Sequence, residues 1–175
     1  YTIIGVIFSA LILIYAFLVQ RTFSAVQLEN LRRQKTENSL KKLSRAIEQS
    51  PTSVVITDNK ARIEYVNPKF TEVSGYTLSE VIGKNPKILS APTNIQTDYA
   101  TMWDTLTQGN DWRGEFCNQR KDGRIYWESA AISSIKNERG EITHFLAVKE
   151  DITERKKAED QLQLAAAVFE AASEA

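Results

Sequence analysis

The chain has 175 residues, with 22 Lys and Arg, 22 Asp and Glu, a formal net charge of zero and 42% hydrophobic residues. These values exclude a nucleic-acid domain with a broad basic surface, which needs a net basic excess, and a disordered chain, which needs low hydrophobicity. The single cysteine, Cys117, excludes an internal disulfide framework and a metal site with several cysteines.

Residues 1–20 carry no charged side chain and are predominantly apolar. A helix of this length spans about 30 Å, the thickness of a bilayer core, so the run predicts a transmembrane helix at 1–20. Residues 21–50 then carry seven basic and three acidic side chains, which predicts that the chain after residue 20 is cytoplasmic. A signal-peptide core and a buried helix are the other interpretations. Because the chain does not begin with Met, we expect a fragment of a longer protein.

A second helical segment follows, since residues 21–50 contain no Gly or Pro. The segment is predicted to be a helix, of which residues 21–42 are the juxtamembrane linker. Apolar residues recur in it at steps of three and four, which predicts pairing with a second copy as a two-stranded coiled coil; they are Leu28, Leu31, Leu40, Leu43 and Ile47. The heptads shift phase between Lys35 and Leu40. A solvated connector helix is the alternative.

From residue 53 the apolar pattern changes to a period of two. It predicts strands at 53–58 and 62–66, joined by the tight turn Asp58-Asn59-Lys60. Asn67 and Pro68 then predict the cap and first residue of a short helix that ends near Gly75. A second short helix is expected at 78–82, and apolar residues at helical spacing predict a longer amphipathic helix at 95–108.

Three longer strands are expected at 112–121, 124–137 and 141–150. Asp122-Gly123 predicts a hairpin between the first two, and the residues 137–140 predict a longer turn between the last two. Two strands, several short helices and a three-stranded meander predict an α+β domain, built on an antiparallel sheet with short helices on one face.

The domain is expected to close at Asp151. Asp151 followed by Glu154 is a capping-box pattern, and it predicts an exit helix over 152–175. Within that helix, Val168-Phe169-Glu170 resembles the earlier Ala46-Ile47-Glu48. We therefore expect the exit helix to run into the start of a second domain of the same kind.

These features resemble the PAS family of sensory domains, in particular a PAS domain with its C-terminal PAC motif. The resemblance covers roughly residues 43–157 and rests on these runs: Val55-Ile56-Thr57-Asp58, Tyr65-Val66-Asn67-Pro68-Lys69-Phe70, Gly75-Tyr76, Val81-Ile82-Gly83-Lys84-Asn85-Pro86, Trp112-Arg113-Gly114-Glu115, Arg120-Lys121-Asp122-Gly123 and Asp151-Ile152-Thr153-Glu154-Arg155-Lys156. It implies a PAS domain at 43–151 whose five-stranded sheet folds over a small cavity, in a membrane-bound bacterial signalling protein. It also assigns the coupling of sheet to exit helix to Asp151, Thr153 and Arg155.

Alternation along the strands predicts which side chains face the cavity. Three polar residues share this inward face with apolar ones, namely Asn118, Glu128 and Lys149, whereas Cys117 should face away. A buried polar group costs free energy unless it has a partner. The three residues therefore either hold a ligand, or Glu128 and Lys149 satisfy each other or reach the rim of the cavity.

Within the family, residues 84–128 resemble the flavin-binding PAS domains of the NifL type. Trp103 and Asn118 match positions that hold the isoalloxazine there, and Tyr126 matches an aromatic position. With Trp112 and Glu128, these residues are the candidate cofactor-binding set, and FAD is the candidate cofactor. The alternative is an ordinary apolar core with no ligand.

Two positions depart from the flavin-binding pattern. Pro86 stands where NifL-type domains have a functional glutamate and LOV photosensors have the adduct-forming cysteine, which excludes LOV photochemistry. Lys149 stands where LOV domains have a flavin-facing glutamine. Haem of the oxygen-sensor type is disfavoured because residues 95–108 contain no histidine; the single one, His144, is expected to face solvent.

No nucleophile–base pair, metal-ligand cluster or phosphate loop is apparent in the sequence, so no enzymatic activity is expected of this fragment. The first hypothesis is a cytoplasmic PAS sensor or relay at the bacterial inner membrane. It works as a homodimer, senses redox state through FAD and controls a downstream histidine kinase of a two-component system or a cyclic-di-GMP enzyme. The alternative is a ligand-free PAS dimerisation and spacer module that transmits motion from the membrane helix. Neither hypothesis involves nucleic acid.

Overall fold

A computed structural model describes residues 2–92 and 98–173. The chain divides into two compact units, residues 1–46 and 47–175. The first unit consists of most of helix α1 (Thr2–Glu48). Parts of two predicted helices, at 95–97 and 174–175, lie outside the described residues.

Helix α1 contains both segments that were expected to precede the domain. Among the described residues, no helix is long and apolar enough to cross a membrane, so the transmembrane helix expected at 1–20 is not supported. The side chains of residues 2–4, 6–14 and 16 lie outside the described part. The expected linker at 21–42 is helical, and the apolar residues predicted to pair, such as Leu31 and Leu40, are exposed. Pairing of this helix with a second copy stays a prediction.

The second unit is built on a five-stranded antiparallel sheet. In chain order the strands are β1 (Ser53–Asp58), β2 (Ile63–Val66), β3 (Trp112–Gln119), β4 (Ile125–Lys136) and β5 (Ile142–Asp151). Their spatial order is β2-β1-β5-β4-β3, with β5 at the centre between β1 and β4. The α+β class and the antiparallel sheet are confirmed.

Short helices connect β2 to β3: α2 (Pro68–Ser74), α3 (Leu78–Val81), a 3₁₀ turn (Pro86–Leu89) and α4 (Tyr99–Thr107). Helix α2 has the predicted ends. The side chain of Asn67 accepts the Phe70 N–H, Pro68 is the first helical residue, and Gly75 ends the helix at a φ of 78°. The last helix is α5 (Thr153–Ser173).

The turn between β1 and β2 forms at the predicted residues, but its left-handed residue is not the expected Asn or Asp. The Asp58 carboxylate accepts the backbone N–H groups of Lys60 and Arg62, each at 2.9 Å. A backbone bond from the Ala61 N–H to the Asp58 carbonyl, at 3.1 Å, closes the turn across Asn59 and Lys60. The left-handed residue is Ala61, at a φ of 58°.

The start of the exit helix also differs. Asp151 is the last residue of β5, where it pairs with Glu128, and helix α5 begins at Thr153. The Asp151 carboxylate accepts the Thr153 N–H at 3.0 Å, and Glu154 pairs with Lys157 at 2.9 Å. The predicted capping box is therefore wrong, because Asp151 is still held in the sheet and Glu154 faces its own helix.

Two groups of buried apolar side chains form the core. One lies under α2 and α3 and includes Val55, Ile63 and Phe70. The other packs α4 against strands β3 to β5 and includes Met102, Leu106, Phe116, Ile132 and Phe145. Residues of both groups border the cavity described next.

Candidate functional site

A cavity of about 190 Å³ lies within the second unit. Its walls are mainly apolar and aromatic, and they include Tyr99, Trp103, Phe116 and Phe145. The Trp103 ring meets the Phe145 ring edge-on, with their centroids 5.5 Å apart. The polar side chains in the lining are Thr57, Asn85, Lys87, Ser90, Asn118 and Lys149.

The three inward-facing polar residues meet one another at the sheet. The amide nitrogen of Asn118 donates to Glu128 Oε2 at 2.7 Å, and the ammonium of Lys149 donates to the same oxygen at 3.0 Å. All three residues are buried. Of the two expectations for this cluster, mutual satisfaction is therefore realised, with Glu128 behind the cavity wall and the other two residues in it.

The predicted cofactor-binding residues take different places. Trp103 and Asn118 line the cavity, whereas Trp112, Tyr126 and Glu128 do not. Trp112 instead lies over Gly114, where an added Cβ would come within 2.4 Å of the indole ring, and its ring centroid is 5.3 Å from that of Phe116. Gly114 thus permits a close approach that any other residue would block.

Tyr126 is completely buried and lies beside the polar cluster. The Arg120 guanidinium lies 4.9 Å from the centroid of its ring, and its hydroxyl has no hydrogen-bond partner among the described residues. Burial, together with the Glu128 carboxylate, raises the pKa of Tyr126 well above its ordinary value. The phenol therefore stays neutral.

The cavity does not fit a flavin ring system in the described conformation. Its volume of about 190 Å³ is smaller than the ~300–1,000 Å³ of typical cofactor sites. The side chain of Asn118, which the resemblance to flavin-binding domains assigns to the ring, already donates to Glu128 through its amide nitrogen. A buried cation, Lys149, lies in the wall at the position where LOV domains have a neutral glutamine.

The predicted coupling residues lie at the junction of the sheet and α5. Asp151 forms an ion pair with Arg120 at 2.7 Å, and Arg120 also donates to the carbonyl of Val73 at the end of α2. The hydroxyl of Thr153 accepts a hydrogen bond from the backbone N–H of Trp127 at 3.0 Å. These bonds join α2, β4 and β5 to the first turn of the exit helix, but a role in signalling stays a prediction.

The third coupling candidate, Arg155, lies on the outer face of the sheet. Its guanidinium is 3.4 Å from Glu115, and Lys156 reaches the same carboxylate at 2.7 Å. The Glu115 side chain raises the pKa of Lys156, whose ammonium also lies 5.3 Å from the Trp127 ring centroid. Sequence reasoning missed Glu115 and Arg120; the outward position of Glu115 on its strand was the available signal.

Cys117 and His144 are away from the cavity. Cys117 alternates with Asn118 and so faces the other side of the sheet, as expected, but it is buried. The neighbouring outer face of β4 is covered by the first turn of α5, with Lys156 over Trp127. His144 is partly exposed and lies 3.2 Å from Glu64 across the sheet.

The comparison with known families gives the decisive observation. The family model for the PAS domain matches residues 51–154, which is more than half of the chain. The chain belongs to the PAS domain family. PAS domains are sensory rather than catalytic, and this PAS domain has the five-stranded sheet and flanking helices described above.

Its relatives are signalling proteins. The nitrogen fixation regulatory protein of Klebsiella oxytoca is 37% identical over 107 residues, covering 61% of this chain and 22% of that protein. The aerotaxis receptor of Escherichia coli is 33% identical over 103 residues, covering 59% and 20%. The blue-light-activated histidine kinase of Brucella anthropi is 29% identical over 111 residues, covering 62% and 23%. The chain spans about a fifth of the length of these relatives.

Solved structures agree with this assignment. An RNA-binding light-oxygen-voltage receptor superposes with a TM-score of 0.68 at 26% identity, over 77% of this chain and 39% of that chain. A PAS domain from Colwellia psychrerythraea superposes with a TM-score of 0.57 at 26% identity, over 66% and 98%.

Proposed function

We propose that this PAS domain is a ligand-responsive sensor, in which the state of the cavity controls the first turn of α5. The observation that carries the proposal is the layout of β5. Phe145, Ala147 and Lys149 line the cavity at alternate positions, and Asp151 is the next residue on the same face. Displacement of the cavity wall would thus act on the residue that holds the start of the exit helix.

The polar cluster supplies a second link between the cavity and α5. Lys149 is bonded to Glu128, and Glu128 is the register partner of Asp151. A ligand that draws Lys149 or Asn118 towards itself would weaken their bonds to Glu128. The sensor needs two populated states with different affinity for the ligand, and release of Lys149 or Asn118 from the shared carboxylate would supply the second state.

The test fills the cavity by mutation and follows the exit helix. In the full chain, Ala147→Leu should change hydrogen exchange at the amides of residues 151–156. Ala131→Leu is the matched control, because Ala131 lies on the opposite face of β4. Equal exchange profiles for both variants would contradict the proposal.

FAD is the ligand suggested by the resemblance to flavin-binding PAS domains, with Trp103 and Asn118 as the contacting residues. Binding would require the cavity to widen and the Asn118–Glu128 bond to open. When bound, a flavin would supply redox sensitivity. An absorbance spectrum of the purified protein tests it: flavin bands that bleach on reduction support FAD, and a colourless protein after incubation with FAD rejects it.

A ligand-free dimerisation and spacer module is the second candidate function. It is favoured by the polar cluster, whose members already satisfy one another. In that case the exposed apolar residues of α1, such as Leu31 and Leu43, would pair with a second copy in a homodimer. Dimerisation that is lost in Leu31→Lys, together with an unresponsive Ala147→Leu, would favour this candidate over the sensor.

For the whole protein, we propose an anchored regulator at the bacterial inner membrane with this domain in the cytoplasm. The uncharged residues 1–20 followed by a basic segment support the anchor. A histidine kinase or a cyclic-di-GMP enzyme is the proposed output, supported by a histidine kinase among the relatives. Recovery of the chain in the soluble fraction after cell lysis would reject the anchor.

A further inference from the structure

The cavity has the size of a single ring. An apolar cavity of about 150 Å³ is enough to hold benzene, so about 190 Å³ accommodates one six-membered ring with a short substituent. The side chains around it, including Trp103, Phe116 and Phe145, offer ring faces and edges to an aromatic body. A three-ring system exceeds this space.

The charges in the wall favour an anion. The charged side chains that line the cavity are Lys87 and Lys149, and no carboxylate is among the lining residues that the structure describes. An ammonium has three donors, and the described contacts of Lys149 include one hydrogen bond, to Glu128. The remaining two donors belong to a side chain that is 7% exposed and borders the cavity, with the ammonium 5.2 Å from the ring centroid of Phe116, another lining residue. A carboxylate on the ligand would accept from them.

The net charge of the site points to a single negative charge. Lys149 and Glu128 neutralise each other. Lys87 is exposed at the edge of the cavity and forms no ion pair within residues 2–92 and 98–173, and its ammonium lies 5.7 Å from the ring centroid of Tyr99, another lining residue. One anionic group in the cavity would therefore neutralise the site.

We propose that the cavity selects a small monoanion with a single-ring apolar body, of the aromatic carboxylate class, held by Lys149 and Lys87. This inference rests on the proposed function only in taking cavity occupancy as the signal. It departs from the flavin expectation because the cavity size and the buried cation at residue 149 differ from a flavin site.

The experiment compares two probes of the same shape by calorimetric titration of the full chain. Sodium benzoate carries the charge, and benzamide is its neutral counterpart. Charge-assisted hydrogen bonds are about twice as strong as neutral ones, so benzoate should bind about tenfold more tightly or better. Equal affinities, or no benzoate binding at millimolar concentrations, would overturn the proposal.

Three variants locate the charge recognition. Lys87→Met should weaken benzoate several-fold without affecting benzamide, whereas Lys84→Met, an exposed lysine outside the lining, should bind both probes as the parent does. The double variant Lys149→Met/Glu128→Met avoids a lone buried charge and should reduce the preference for benzoate to the part that Lys87 supplies. An undiminished preference in this double variant would reject Lys149 as a recognising group.

The outcomes separate this proposal from the sensor function. If benzoate fails to bind but Ala147→Leu still alters exchange at residues 151–156, the ligand class is wrong and the relay stands. If benzoate binds selectively but exchange at 151–156 is unchanged by both ligand and mutation, the binding site stands and the relay is wrong. If FAD co-purifies with the protein and occupies the cavity, the proposal of a small monoanion as ligand is wrong.

Discussion

The ammonium nitrogen of Lys149 lies 3.0 Å from the Glu128 carboxylate, and the two side chains are only 7% and 2% exposed. Removing either charge from water costs several kcal/mol, so each residue depends on the other. Asn118 donates to the same carboxylate from the opposite strand. The contact therefore joins β3, β4 and β5 at the cavity wall.

Removal of the carboxylate should be costly. We expect Glu128→Met to lower the free energy of unfolding by about 3–5 kcal/mol, because Lys149 would remain buried without a counter-ion. The double variant Glu128→Met/Lys149→Met should lose less than Glu128→Met alone, since it leaves no buried charge. Urea denaturation measures both. If the loss in the double variant equals the sum of the losses in Glu128→Met and Lys149→Met, the two residues are not coupled.

The link between Asp151 and the exit helix should be local. Asp151→Ala removes the ion pair with Arg120 and the bonds to Thr153. Because the ion pair is partly exposed, we expect the free energy of unfolding to fall by at most about 1 kcal/mol. Hydrogen exchange at residues 152–156 should nevertheless accelerate. Glu150→Ala, one residue earlier and exposed, is the control and should leave these amides unchanged.

Asn67 should be the more important of two capping asparagines. Its side chain is buried, accepts the N–H groups of Val54 and Phe70, and donates to the carbonyls of Ile47 and Thr52. Asn67→Ala should lower the free energy of unfolding by about 2–4 kcal/mol, because the cap is lost and buried backbone groups are left unpaired. The exposed cap Asn85 accepts one bond, from the Lys87 N–H, so Asn85→Ala should lower the free energy of unfolding by about 1 kcal/mol or less. Similar denaturation midpoints for the two variants would contradict this.

Acid should weaken the domain partly through Glu80. The Lys121 side chain, followed by the Thr77 backbone, lowers the pKa of Glu80 from 4.5 to about 2. Because the folded-state pKa is depressed, this contribution is complete above pH 4.5 and is lost as the pH falls towards 2. In Glu80→Gln the dependence of unfolding free energy on pH across this window should be shallower.

The partner variant checks the cause. Lys121→Met keeps the carboxylate but removes its main partner, so it should also flatten the pH dependence, by less than Glu80→Gln because the Thr77 bonds remain. Urea midpoints measured at successive pH values give both slopes. A slope identical to that of the parent chain would exclude the ion pair as the cause.

Local chemistry made much of the fold predictable. The alternation of residues 53–58 predicted β1 with its observed bounds, and Asn67 with Pro68 and Gly75 predicted both ends of α2. The same alternation placed Asn118, Glu128 and Lys149 on one face, as observed. The capping box predicted at Asp151 was wrong because this carboxylate bonds to backbone in a way that the short motif does not specify.

The sequence by itself determined the α+β class, the five strands, the PAS resemblance and the inward direction of the polar residues, because all of these follow from short periods and turn residues. Only the tertiary structure decided that Glu128 takes both Lys149 and Asn118, that Trp112 covers Gly114 outside the cavity, and that the cavity is the size of one ring. The physical reason is register. Pairing of β3, β4 and β5 brings together side chains that are distant in the chain, and no local pattern encodes those distances.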